Sequence, residues 1–347
     1  MRDTSRTGRE DNGVSDRKNR IRLALLVDSE NLFHRQLAVQ AGLRYAIVDP
    51  AARLARRGRA EYGHLLAQLR EEFERAGLAI AGLEGSITDV LPMDRIKLGL
   101  PGRDEEIENF AMLVEAMGQA GIPLLCYDFM AGIGWYRTRV DVPGRGGALV
   151  SEFDYEQAES QGLTSWGRVP EETIWENLEY FLRIIVPVAE RAGVRLALHP
   201  DDPPVSPLRG VGRILTSGEN FRRALALLPS PAHGIAFCQA NFRLMGEDLE
   251  ALIREWCAQD KIFFVHFRDV AGHRFHFRET FHDEGPTDMG RMLRVYWEAG
   301  FDGPLRPDHA PTMAGEPHDR PGYAIYGRLI AIGYIRGLLE GQEIPYE

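Results

Sequence analysis

From residue 21 onward the chain alternates short apolar runs with longer amphipathic stretches. The runs are Leu23–Val27, Tyr45–Val48, Leu78–Leu83, Ile122–Tyr127, Val194–His199, Gly234–Cys238, Ile262–Phe267 and a weaker Gly303–Arg306. Each is continuously apolar rather than alternating, which suits parallel strands covered on both faces. Between them lie helical patterns. Glu61–Ala76 sets Leu65, Leu66, Leu69 and Phe73 on one stripe; Asp104–Ala120 and Glu171–Ala192 repeat the arrangement. These three end in Ala-Gly, at Gly77, Gly121 and Gly193, where a left-handed residue closes a helix well. Further helices are predicted over Ser29–Ala41, Gly218–Leu228, Glu247–Gln259, Thr287–Ala299 and Tyr323–Glu340.

Eight strand-then-helix units in a row predict an α/β fold, a single (β/α)8 TIM barrel spanning residues 21–347. A doubly wound sheet would also alternate, but it calls for a glycine-rich phosphate turn after its first strand. Val27-Asp28-Ser29-Glu30-Asn31 contains no glycine, and neither GxGxxG nor a Walker sequence occurs elsewhere. The segments Asp128–Pro170, Pro200–Ser217, Arg268–Pro286 and Pro307–Gly322 all follow strands and read as long loops. In a barrel they gather on the C-terminal face, where they would cover a pocket.

Composition narrows the partners. The 347 residues carry a net charge of −10, which repels nucleic acid unless basic residues are segregated on one face. The one dense basic run, Arg53, Arg56, Arg57 and Arg59, reads as a solvated helix edge or loop. No stretch is long and apolar enough for a membrane span. Residues 1–20 hold ten charges and no apolar segment, so they read as a disordered charged tail rather than a secretory signal. Cys126, Cys238 and Cys257 have no CxxC spacing, which points to a reducing, cytoplasmic setting without disulfides.

The chemistry gathers at the ends of the last four strands. They close on His199, Cys238 and His266, and the eighth leads into Asp308. A lone strand-end histidine usually just makes a hydrogen bond, and a lone cysteine usually packs. Two imidazoles, a thiolate and a carboxylate on successive strands of one mouth suit a divalent Zn²⁺, Fe²⁺ or Mn²⁺. Cys126 and Cys257 lack such company and read as core. Asp201 and Asp202 stiffen the turn after His199 or support the imidazoles. His273, His276 and His282 read as a lid or exposed loop, and Gly144-Arg145-Gly146-Gly147 as a turn.

Taken together, certain stretches resemble the mannonate dehydratase family. They are Ile96-Lys97-Leu98-Gly99, Arg103-Asp104, Ile107-Glu108-Asn109, Cys126-Tyr127-Asp128-Phe129-Met130, Trp135 and Arg137-Thr138. They continue with His199-Pro200-Asp201-Asp202-Pro203-Pro204, Val265-His266-Phe267-Arg268, Arg306-Pro307-Asp308-His309 and Pro321-Gly322-Tyr323. The resemblance implies a xylose-isomerase-like barrel with Mn²⁺ or Fe²⁺ on His199, Cys238, His266 and Asp308. It implies a hydro-lyase of hexuronate breakdown that eliminates water from D-mannonate to give 2-keto-3-deoxy-D-gluconate. Proton transfer falls to His309 and Tyr323, and substrate contacts to Arg306, Asp128 and Arg137. Two positions depart from the family pattern: Ala310-Pro311 follows His309 where many members have Gly-Arg, and Asp128 stands where many have asparagine.

The expected partner is therefore a small sugar acid, with neither nucleic acid nor membrane, and a homo-oligomer because many barrels pair. A metal-dependent sugar isomerase or epimerase on the same barrel is the alternative activity. A catalytically silent sugar-acid-binding protein is the reading from outside enzymology.

Overall fold

The structure, a computed structural model, describes residues 20–347. The charged tail expected over residues 1–20 therefore lies, save for Arg20, outside the described residues. Eight parallel strands close a barrel: β1 (Arg22–Asp28), β2 (Tyr45–Asp49), β3 (Ala79–Leu83), β4 (Leu124–Asp128), β7 (Arg195–His199), β8 (His233–Cys238), β9 (Ile262–Phe267) and β12 (Pro304–Pro307). They follow one another around the barrel in chain order, with β12 back beside β1. All eight expected strands are present. Successive side chains point to opposite faces. Along β1, Leu23, Leu25 and Val27 join the large core under the helices, while Ala24 and Leu26 point into the barrel. The barrel interior is filled mainly by small residues, Ala81, Ala197 and Ala236 among them, with Phe263 and Phe264 taking the remaining volume.

The outer helices start and stop where local chemistry dictates. Ser217, Asp248 and Asp288 each accept a hydrogen bond from a backbone N–H in the first turn of the helix that follows. Gly121 and Gly193 end their helices with φ of 69° each, a conformation that costs glycine little.

The long loops are less irregular than the sequence implied. β5 (Arg139–Pro143), β6 (Leu149–Asp154), β10 (Val270–His273) and β11 (His276–Glu279) form a separate antiparallel sheet in the order β10-β11-β6-β5. It joins the loop after β4 to the loop after β9, with Phe277 opposite Phe153. Phe153, Phe277, Val205, Leu208 and Leu244 give it a small core of its own. Short, charged strands such as Arg139–Pro143 hide their character because they stay largely exposed and carry no continuous apolar run. Gly144-Arg145-Gly146-Gly147 connects β5 to β6, as a turn should. This sheet carries Glu279 to the barrel mouth.

Candidate active site

Strand register assembles the mouth. Cys238 pairs with His266, His266 with Arg306, and His199 with Asp128 across neighbouring strands. As a result the donor atoms of His199, Cys238 and His266 all lie within 4.8 Å of one another. Asp308, just past β12, brings Oδ2 to 3.7 Å from His266 Nδ1. Its two oxygens also accept from Arg306 Nη1 at 2.8 Å and Arg268 Nε at 2.9 Å.

The imidazoles report what the triad is built for. His199 Nδ1 donates to the Pro200 carbonyl at 2.7 Å, because a carbonyl only accepts, so its Nε2 keeps a lone pair. His266 Nε2 sits 2.8 Å from Glu84 Oε1, an ion contact whose angle falls short of a hydrogen bond. Burial would raise the Glu84 carboxyl, but Arg306 and His266 overcome it and hold it at about 2, so it is ionised. His199 Nε2 and His266 Nδ1 meet across 3.1 Å beside the Cys238 sulfur, close enough to share one proton. With that proton displaced, two lone pairs and the sulfur converge, an arrangement that fits a shared cation. The donor set of nitrogen, sulfur and oxygen suits a borderline divalent ion.

Beneath the donors lies a lattice of buried charge. The Arg268 guanidinium reaches Asp308, Glu279 and Asp202 at once, at 2.9, 3.0 and 2.7 Å. Arg137 bonds Asp202 and Glu279, each at 2.6 Å. Burial pushes the Glu279 carboxyl up, but Arg268, His309 and Arg137 outweigh it and bring it to about 2. Asp202 is likewise held far below the usual carboxylate range by Arg137 and Arg268 against the effect of burial. Asp201 differs: burial dominates, Arg213 stands back at 3.6 Å, and its carboxyl rises to about 6.

His309 donates from Nδ1 to Glu279 Oε1 at 3.1 Å, which leaves Nε2 without a hydrogen bond, 3.9 Å from Asp308 Oδ1. Its ring lies edge-on to Tyr323 at 5.2 Å and to Trp135 at 5.3 Å. Burial, reinforced by the charge of Asp308, pushes the Tyr323 phenol well up, so it holds its proton. These groups line a cavity of about 260 Å³ together with Glu84, Asp128, His199, His266 and Asp308. Asp128 accepts from Lys97 Nζ at 2.7 Å.

Not every expected contact reaches the cavity. Arg137 and Arg306, expected to touch substrate, have fully buried side chains committed to protein carboxylates. Cys126 faces the barrel interior near Glu84 and His266. Burial and the Glu84 charge raise its thiol far up, so it stays protonated and packs as expected. His273 and His276 pair across the exposed β10–β11 turn while His282 is buried, so the three form no shared site. Glu84, Arg268 and Glu279 were missed as site residues. Glu84 directly follows β3, as Asp308 directly follows β12, and Arg268 lies two residues past His266. Nothing local marked Glu279.

The family model for D-mannonate dehydratase (UxuA) matches residues 61–165 and 161–344. Mannonate dehydratase 2 of Halalkalibacterium halodurans is 36% identical over 300 residues, covering 78% of this chain and 85% of that protein. The chain belongs to the D-mannonate dehydratase family. Mannonate dehydratase of Thermotoga maritima is 34% identical over 311 residues, 79% of this chain and 84% of its own. The crystal structure of mannonate dehydratase from Streptococcus suis serotype 2 superposes with a TM-score of 0.81 at 27% identity, covering 95% of this chain and 96% of that one. A xylose isomerase domain protein from Planctomyces limnophilus covers 93% of this chain and 98% of its own with a TM-score of 0.60 at 14% identity, which shows the shared barrel alone. Among the described residues, no helix of this family member is long and apolar enough to cross a membrane.

Proposed function

We propose that this protein eliminates water from D-mannonate, or a closely related aldonic acid, to give 2-keto-3-deoxy-D-gluconate. A divalent Mn²⁺ or Fe²⁺ would be held by His199, Cys238, His266 and Asp308 at the C-terminal face of the barrel. The observation that carries the reading is one cavity lined by two members of the donor triad, His199 and His266, together with Asp308, the His309 imidazole and the protonated Tyr323 phenol. When bound, the ion supplies Lewis-acid charge stabilisation to a carboxylate that would otherwise stabilise a neighbouring carbanion poorly.

The protein's own groups divide the proton work. His309, oriented by Glu279, takes the C2 proton on Nε2. Tyr323, kept neutral by burial, gives its proton to the departing C3 hydroxyl, which leaves as water. The resulting C2–C3 enol then tautomerises to the 2-keto acid. Trp135 walls His309 from solvent on one side, and the Lys97–Asp128 pair presents an acceptor to a substrate hydroxyl.

An anaerobic assay tests this, with Mn²⁺ and Fe²⁺ supplied separately against a panel of hexonates and pentonates and product mass read directly. A product lighter than D-mannonate by one water is expected. A product of unchanged mass would instead establish the isomerase or epimerase activity.

A further inference from the structure

The cavity is rich in carboxylates and poor in cations. Glu84, Asp89, Asp128, Asp202 and Asp308 face it, yet among the described residues that line it Arg320 is the only arginine or lysine. Most of those carboxylates are neutralised from behind: Glu84 by Arg306, Asp128 by Lys97, Asp202 by Arg137, and Asp308 by Arg268. Those four cations are buried and spent on the protein itself. Beside the metal that the site would hold, a ligand that brings its own negative charge meets no unspent side-chain cation except Arg320 among the described lining residues.

Arg320 is placed to answer it. Its side chain is 46% exposed; Nη2 donates to the buried Asp49 at 3.3 Å, and Nη1 lies 3.7 Å from the partly exposed Asp28. Asp49 also accepts from the Ala51 and Ser86 N–H groups, and Asp28 from the Glu30 N–H. Asp49 therefore keeps two backbone donors when Arg320 turns away, and the Asp28 pair, with both partners partly exposed, is weak. The backbone holds Arg320 in place: its carbonyl accepts from the Tyr323 N–H at 2.9 Å, and Gly322 O accepts from Ala310 N at 2.9 Å. Its guanidinium lies 5.7 Å from the Tyr323 ring centroid, between the catalytic cavity and a neighbouring one of about 290 Å³. Ala310 and Pro311, earlier in the same loop, are buried and contribute no charge.

We infer that Arg320 is the specificity-determining cation of this site, leaving Asp28 and Asp49 to pair with the carboxylate of an entering aldonic acid. The inference rests on the sugar-acid reading above and adds the residue that selects an anion over a neutral polyol. Planar guanidinium–carboxylate pairing also gives orientation, which a lysine ammonium reproduces only in charge.

The test is calorimetric binding to the metal-loaded protein with two matched probes, D-gluconate and its uncharged counterpart D-sorbitol. The wild type is expected to prefer the acid. Arg320→Met should weaken D-gluconate by roughly 10–100-fold, leave D-sorbitol within about twofold, and keep full metal content, with Arg320→Lys intermediate. A wild-type preference for the acid that survives intact in Arg320→Met would overturn the inference, as would equal weakening of both probes. A wild type that selects the acid through Arg320 yet releases no dehydrated product upholds Arg320 and overturns the dehydratase reading instead.

Discussion

Glu279→Gln probes the link between the added sheet and the chemistry. The substitution keeps shape and deletes one charge. In the wild type Oε1 accepts from Arg137 Nη2 at 2.6 Å and from His309 Nδ1 at 3.1 Å, while Oε2 accepts from Arg268 Nη1 at 3.0 Å. A glutamine can keep its oxygen toward Arg137 and His309 only by turning its amide N–H toward the Arg268 N–H, donor against donor. The drop of the Glu279 pKa from 4.5 to about 2 corresponds to about 3 kcal/mol of preference for the charged form. Breaking one partner of a buried ion pair costs about 3–5 kcal/mol, so the two figures agree. Because the folded pKa lies below its ordinary value, that stability is complete above about pH 4.5 and vanishes as pH falls toward 2. Chemical denaturation at several pH values should therefore show the variant weaker by about 3 kcal/mol at pH 7, with the two curves converging in acid. Loss of the carboxylate behind His309 should also lower kcat roughly 10–100-fold at full metal loading. Unfolding free energies within about 1 kcal/mol at pH 7, together with an unchanged kcat, would refute the reasoning.

Three further outcomes follow from the same geometry. Tyr323→Phe deletes only the hydroxyl, so kcat should fall roughly 10²–10⁴-fold while metal content stays at the wild-type level; near-full turnover would remove Tyr323 from the chemistry. Cys238→Ser and His266→Ala each remove a donor from the triad, and elemental analysis should find the metal lost from both; full retention would sink the proposed centre. Asp201 has a folded pKa raised to about 6, so the stability it contributes is complete below about pH 4 and is lost as pH rises through 6. Relative to wild type, Asp201→Asn should therefore look more favourable at pH 7 than at pH 4 in denaturation titrations, and a constant difference would contradict the burial argument.

The barrel and the His199, Cys238 and His266 cluster at its mouth were legible along the chain for a common reason. Strands covered on both faces must be continuously apolar, so runs such as Leu23–Val27 and Ile262–Phe267 announce themselves. A closed parallel barrel then brings every strand end to one mouth, which makes His199, Cys238 and His266 neighbours without further information. The second sheet could not be read in this way. β5 and β11 are short and polar, and the pairing that joins the two hairpins, β11 with β6, links loops more than a hundred residues apart. The charge lattice is more remote still: Arg137 meets Glu279 across 142 positions and Arg306 meets Glu84 across 222. Charges cannot be buried singly, so each guanidinium in that lattice is defined by the carboxylates it finds, and tertiary structure alone decides which they are. That is why the chain alone did not show Arg137 paired with Asp202 and Glu279, or Arg306 with Glu84 and Asp308. Chain composition set the acids and bases this protein owns; folding decided which of them were spent on one another and which, like His309 Nε2, were left free to act.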